Sequence, residues 1–303
     1  MAEMTIFQKN LSEMLPNVEL RFDEPMSRHT SFRIGGPVAV MAFPKNSGEL
    51  AEILKVSALL DVKPAILGAG TNVLAPDAGM DGLVICLKDC MGGMEQTGEN
   101  TIRVAAGVTM TRAAMFAANL GLSGLEFAHG IPGTVGGGVY MNAGAYGGEI
   151  KDVCVSVDVM DVDGIVTRRP AGEMKFSYRH SVLEDEGGIV LAAEFVLTPA
   201  SAEDVKAKMK ELQSKRSASQ PLDLPSAGSA FKRPVGGFAA ALIDQAGLKG
   251  YTVGGAGIST KHAGFAVNLG GATAADVQNL LSQVSDIVYE KSGIRLEPEV
   301  RIW

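Results

Sequence analysis

A chain of 303 residues, 46% hydrophobic and 20% charged, has ordinary globular composition, and its length exceeds what one core usually serves, so two or three subdomains are expected. Its 27 basic and 34 acidic side chains leave a net charge of -7, which argues against a protein built to coat nucleic acid, because phosphate binding needs a basic surface. There is no uninterrupted apolar run of membrane-spanning length, and MAEMTIFQKNLSEMLPNVEL does not read as a signal peptide, so a cytoplasmic protein is expected. Cys86, Cys90 and Cys154 form no CxxC pair and read as structural thiols of a reducing compartment.

Residues 38–43 (VAVMAF) read as a strand, followed by a turn into a helix with Leu50, Ile53, Leu54 and Leu60 on one face. The strand PAILG runs straight into GAGTN, and the strand GLVICL follows, giving a β-α-β unit with a glycine loop after its second strand. TIRVAAG opens a second α/β segment, whose helix TMTRAAMFAANLG has a threonine start and Gly121 as its stop. GIPGTVGGGVYMNAGAYGGE (130–149) is too rich in glycine for a regular element. VCVSVDVMDVDGIVTRRP alternates and turns at Asp163-Gly164, a hairpin signal, and GIVLAAEFVL (188–197) is another strand. Past a boundary near residue 200, Ser201 caps a helix with Val205, Met209 and Leu212 as its apolar stripe. A last long helix runs from Thr273 to Gly293, and the strand RLEPEVRIW closes the chain. The implied domains are residues 1–100, 101–200 and 201–303.

Several stretches carry candidate chemistry. LGAGTN (67–72) offers closely spaced N–H groups, a nest for phosphate or simply a turn; Val73 breaks the G-x-G-x-x-G pattern, and no Walker loop occurs. The glycines of 130–138 sit among Ile131, Val135, Val139, Tyr140 and Met141, whereas a merely flexible loop would be polar, so a ligand loop is expected. Two such loops in consecutive α/β segments suggest a dinucleotide pyrophosphate held without the Rossmann fingerprint. Arg179, in FSYRHS, suits a carboxylate partner or a surface ion pair. Glu297 and Glu299 flank Pro298, and on an extended strand they would share one face, for acid/base work or as solvated surface. LPSAGSAFKRP lacks G-x-S-x-G and has no adjacent histidine base, but a hydroxyl near Lys232 could deliver a proton. His29, His129, His180 and His262 are scattered, so no metal site is expected.

HTSFRIGG, GAGTNVLAPDAGMDGLVI, GIPGTVGGGVYMNAGAYGGE, FSYRHS, SAGSAFKRP, STKHAGFAVN and LEPEVR occur in this order, and together they resemble the UDP-N-acetylenolpyruvoylglucosamine reductase family from about residue 25 onward. The resemblance implies an α+β protein: a vanillyl-alcohol-oxidase (PCMH)-type FAD-binding fold of two α/β subdomains, plus a C-terminal α/β substrate domain. It implies that Gly68, Ala69, Gly70, Thr71 and Asn72, with Gly130, Gly133, Thr134, Gly136, Gly137 and Ala143, hold FAD. NADPH would reduce the flavin, and the enolpyruvyl ether of UDP-GlcNAc would then take hydride at C3 from flavin N5. By the same resemblance Arg179 and Glu299, the latter protonated, would stabilise charge at C2, and Ser229 would protonate C2. Tyr178, Arg216, Lys232, Arg233, His262 and Asn268 would contact the substrate, while Ser226 would be structural. The stretch between Arg179 and Ser229 is short, as in the family's second type, which lacks a segment that brings a tyrosine over the substrate. A monomer is expected. The alternatives are another FAD-dependent oxidase or dehydrogenase of this fold, and a non-catalytic flavin or sugar-nucleotide binder.

Overall fold

The computed structural model describes residues 4–303. The chain divides into two compact units, one running to Phe22 and including Ala39–Ala69 and Gly82–Ser214, the other comprising Asp23–Val38, Gly70–Asp81 and Lys215–Trp303. No helix among the described residues is long and apolar enough to cross a membrane.

The first unit holds two cores. In one, the sheet order is Glu19–Pro25, Pro37–Phe43, Met80–Cys86, Ala65–Leu67, with the last two strands parallel. The helix Ser47–Leu59 begins where the Asn46 side chain accepts from Glu49 N–H, and it buries Leu50, Ile53 and Leu54 against Val40, Leu83 and Ile85. The glycine loop leaves directly from Leu67, as the sequence predicts.

The other core lies on a sheet of order Val166–Pro170, Cys154–Met160, Ile189–Val196, Thr101–Ala105, Met94–Gly98, antiparallel throughout. The hairpin at Asp163-Gly164 is present, with Gly164 at φ +81 and Met160 opposite Val166. The helix Met110–Asn119, capped by Thr109, buries Ala113 and Ala117 with Ile102, Val104, Val157 and Phe195.

Residues 130–149 depart from the expectation of irregular chain: Val135–Tyr140 is helical. Thr134 caps it, its Oγ1 accepting from Gly137 N–H at 3.4 Å, while the N–H groups of Val135 and Gly136 donate to Val108 O and Ala106 O. The glycines admit close neighbours, since a Cβ on Gly136 would meet Ala106 Cβ at 2.9 Å and one on Gly138 would meet Met110 Sδ at 2.8 Å. Tertiary packing thus overrides poor helix propensity.

The second unit is built on an antiparallel sheet of order Ser226–Ser229, Phe265–Asn268, Ala256–Ile258, Thr252–Val253. The helix Ala274–Ser292 packs Val277, Leu280, Leu281, Val284 and Val288 into a core with Ile243, Ile258 and Ala266. Thr273 and Asp276 form its capping box, and Asp77 accepts from Ala274 N–H and Ala275 N–H at 2.7 and 3.1 Å. RLEPEVRIW is not one strand. Only Arg301–Ile302 pairs, parallel to Val73–Leu74, and Pro298 makes a single bridge to Phe231, closed by Lys232 N–H donating to Glu297 O and Glu299 N–H to Ala230 O.

Candidate active site

In the first unit the two glycine loops meet. A Cβ on Gly68 would lie 2.6 Å from Thr134 Oγ1, so only glycine permits this approach, and Met110 N–H donates to Gly133 O at 3.0 Å. Gly137, by contrast, has room: an added Cβ would meet only Thr134 Oγ1, at 3.6 Å. One residue before this loop, His129 Nδ1 is buried without a hydrogen-bond partner, and burial holds the ring's pKa down, keeping it neutral. Glycines that bring backbone segments close and a buried ring nitrogen without a partner are features compatible with a ligand held here.

Gly70, Thr71 and Asn72 belong to the second unit. Gly70 has φ +62, and a Cβ there would be 2.0 Å from His29 O, so no other residue fits. Its carbonyl accepts from Ser31 N–H; Asn72 O accepts from Arg301 N–H, and Asn72 Nδ2 donates to Glu299 O at 3.2 Å.

Arg179 lies in the first unit, at the third position of a tight turn closed by hydrogen bonds between Ser177 and His180 in both directions. Its φ is +56, a left-handed value normally left to glycine or asparagine. The guanidinium donates to Gly144 O at 3.2 Å and sits 5.0 Å from the Tyr178 ring centroid. Nearby, Glu149 is held below the usual carboxylate range, chiefly by its hydrogen bond with Lys151 and further by Asn142 and the Arg179 charge.

In the second unit Ser229 ends a strand that carries a bulge. Ser226 pairs with Val267 and Ser229 with Phe265, so three steps on one strand oppose two on the other, and Gly228 at φ +79 absorbs the extra residue. The bulge turns Ser229 to an exposed position while Ala227 and Ala230 stay buried. Beside it runs the C-terminal segment: Glu299 N–H donates to Ala230 O and Lys232 N–H to Glu297 O, both at 2.9 Å. The structure therefore brings Ser229, Asn72 and Glu299 together. Ser226 O accepts from Ser31 Oγ at 2.6 Å, a structural use.

The remaining candidates divide by what holds them. Lys232 Nζ is 3.6 Å from the exposed Glu297, and the Arg233 guanidinium stacks 4.1 Å from the Phe238 ring centroid, on a loop whose Val235 is fully exposed. Tyr178 is exposed and Arg216 is buried at the end of the helix Ala202–Ser219. No cluster of His, Cys, Asp or Glu among the described residues could hold a metal ion.

Comparison with known proteins decides the family. Residues 38–169 match the description "FAD binding domain", and residues 220–303 match "UDP-N-acetylenolpyruvoylglucosamine reductase, C-terminal domain". A protein named UDP-N-acetylenolpyruvoylglucosamine reductase from Agathobacter rectalis is 45% identical, with 98% of each chain covered. One of the same name from Caldicellulosiruptor saccharolyticus is 47% identical over 97% of this chain and 94% of its own. The solved structure of UDP-N-acetylenolpyruvylglucosamine reductase from Thermus caldophilus matches with a TM-score of 0.80 at 36% identity, covering 95% of this chain and 99% of that one. The chain belongs to the UDP-N-acetylenolpyruvoylglucosamine reductase family.

The fold is accordingly α+β, an FAD-binding domain joined to the family's C-terminal domain. Two groups of candidate residues are engaged within the protein. Glu297 and Glu299 flank the Pro298 bridge to Phe231, and Glu297 is engaged by Lys232. Asn268 is buried and its carboxamide is committed: Nδ2 donates to Phe32 O, and Oδ1 accepts from Gly270 and Ala272 N–H. It holds a loop of the second unit together. His262 is similarly directed, Nδ1 accepting from Gly264 N–H while the ring packs edge-on against Phe265. Sequence reasoning missed Asn142 and Glu149, although both lie inside a stretch it singled out; an asparagine among glycines was the available signal.

Proposed function

We infer that this protein uses NADPH and FAD to reduce the enolpyruvyl ether of UDP-GlcNAc to UDP-N-acetylmuramate for peptidoglycan precursor synthesis. The observation that carries the chemistry is the bulge at Gly228, which exposes the Ser229 hydroxyl on the strand flanked by Glu299. Bound in the two glycine loops, FAD would supply the hydride chemistry, taking it from NADPH and passing it to C3 of the vinyl group. Negative charge then develops at C2, conjugated with the substrate carboxylate, and charge of this kind is best met by groups placed beforehand. Arg179, locked in its left-handed turn, supplies a fixed cation, and Glu299, with its backbone tied to Ala230 and Asn72, supplies a fixed carboxyl group. Ser229 gives its proton to C2. A serine hydroxyl is a weak acid, but an enolate is a strong enough base to take that proton.

Gly68, Ala69, Gly70, Thr71 and Asn72, with Gly130, Gly133, Thr134, Gly136, Gly137 and Ala143, form the FAD-binding set in this reading. Tyr178, Arg216, Lys232 and Arg233 meet the substrate, and His262 and Asn268 hold the loops that carry such contacts. The protein acts as a cytoplasmic monomer with NADPH and the sugar nucleotide as its partners and no nucleic acid. The test is a visible spectrum of the purified protein, taken anaerobically with NADPH and then with the enolpyruvyl substrate. Bleaching by NADPH and recovery with substrate is expected. A flavin that bleaches and does not recover would sink the substrate assignment.

A further inference from the structure

Asn142 is fully buried, and its carboxamide ties together three residues in two segments. Nδ2 donates to Glu149 Oε2 and to Ser177 O, each at 2.9 Å, and Oδ1 accepts from Lys151 N–H at 3.0 Å. Its backbone sits at φ +42, which asparagine tolerates better than most residues. Ser177 opens the turn that holds Arg179, and Arg179 Nη2 donates to Gly144 O, two residues past Asn142. The arginine is thus tied to one point twice: its turn through the Asn142 side chain, its guanidinium through the backbone that Asn142 leads into.

We propose that Asn142 is a positioning residue for Arg179, fixing the turn that presents the guanidinium to the substrate. The proposal rests on the reading of Arg179 above. A left-handed arginine persists only where its surroundings over-determine it, and Asn142 supplies that constraint. The Lys151–Glu149 ion pair, 2.8 Å long, engages the same Glu149 Oε2 that accepts from Asn142 Nδ2 and so holds that acceptor in place.

Two variants separate the carboxamide from the backbone. Asn142→Gly keeps the left-handed φ and removes all three hydrogen bonds; Asn142→Asp keeps the acceptor for Lys151 N–H and loses both donors. In the FAD-loaded enzyme each is expected to slow substrate-dependent flavin reoxidation by about 10- to 100-fold while leaving NADPH-dependent bleaching within about threefold, since misplacing a binding group by ~1 Å has effects of this order. Amide exchange at His180, whose N–H donates to Ser177 O, is expected to rise. In an Arg179→Ala background the same substitutions should add less than about threefold, because residues acting as one unit are not additive. An equal factor in both backgrounds overturns the proposal. So does parallel loss of both half-reactions, or failure of both variants to fold and hold FAD, either of which makes Asn142 a scaffold residue. An Arg179→Ala variant that reoxidises as fast as the wild type removes the role of Arg179 itself, and the proposal with it.

Discussion

Gly68→Ala isolates the contact between the two glycine loops. The position is not left-handed, so alanine meets no backbone strain and, by narrowing the unfolded ensemble, gains about 0.4–1 kcal/mol. Against that stands one atom. The added Cβ would be 2.6 Å from Thr134 Oγ1, about 1 Å inside a normal contact, and its next neighbours are Cβ and Cγ2 of the same threonine at 3.8 and 3.9 Å. Relief means turning Thr134 away, which removes the cap on Gly137 N–H, worth about 1 kcal/mol, and overpacking adds about 1–3 kcal/mol. The net expectation is a loss of about 1–3 kcal/mol in urea unfolding, with FAD retained less well. In a Thr134→Ala background the oxygen is gone, and Gly68→Ala should be neutral within about 0.5 kcal/mol. An equal loss in both backgrounds would refute the contact as the cause. Gly137→Ala serves as the counterpart: its Cβ meets nothing closer than 3.6 Å, and alanine favours the helix by about 1 kcal/mol. Apoprotein stability should hold or rise while FAD affinity falls at least about tenfold, or 1.4 kcal/mol. Unchanged affinity would take Gly137 out of the cofactor wall.

Ser229→Ala should leave bleaching by NADPH intact and slow reoxidation by substrate about 10²–10⁴-fold, the usual range for a lost proton donor; stopped-flow traces that match the wild type would end the assignment. Asp77→Ala strips the side-chain acceptor from the first two N–H groups of the helix Ala274–Ser292 and should cost about 1 kcal/mol in urea unfolding, with no change in the flavin half-reactions once folded. Burial holds the pKa values of His262 and His129 below the ordinary histidine range, so the unfolded chain takes up protons before the folded one does. Stability is therefore expected to fall as pH drops from neutrality through about 6.5, and His262→Asn, which retains an acceptor for Gly264 N–H, should flatten part of that slope. A melting temperature that rises on acidification through this range would contradict it.

What the sequence made legible follows from how local the determining physics is. The caps at Thr109 and Thr273 and the stop at Gly293 are visible because each is set by a side chain or a glycine within a few residues of the element it bounds. The helix Val135–Tyr140 was not, because what fixes it is distant in sequence: the carbonyls of Ala106 and Val108, and the space beneath Gly136 and Gly138. The extended reading of RLEPEVRIW treated period two as sufficient, whereas only Arg301–Ile302 pairs as a strand and its partner, Val73–Leu74, is distant in sequence. For the site, motif resemblance singled out Arg179, Ser229 and Glu299, but neither the bulge at Gly228 nor the left-handed turn at Arg179 has a local signature beyond a glycine in one case and none in the other.

The two irregularities do related physical work. A regular strand would give Ser229 one of two faces by parity alone; the extra residue at Gly228 breaks that parity and exposes the hydroxyl without exposing Ala227 or Ala230. An ordinary turn would place glycine at the third position, and a glycine there would carry no guanidinium; the arginine accepts φ +56 and is held in it by Asn142 and Gly144. In both places backbone regularity yields to the placement of one side chain, and the compensating order is found in neighbouring residues. Arg179→Lys therefore removes more than hydrogen-bond count: lysine would incur the same backbone strain, while the planar fork that reaches Gly144 O and stacks near Tyr178 would be gone.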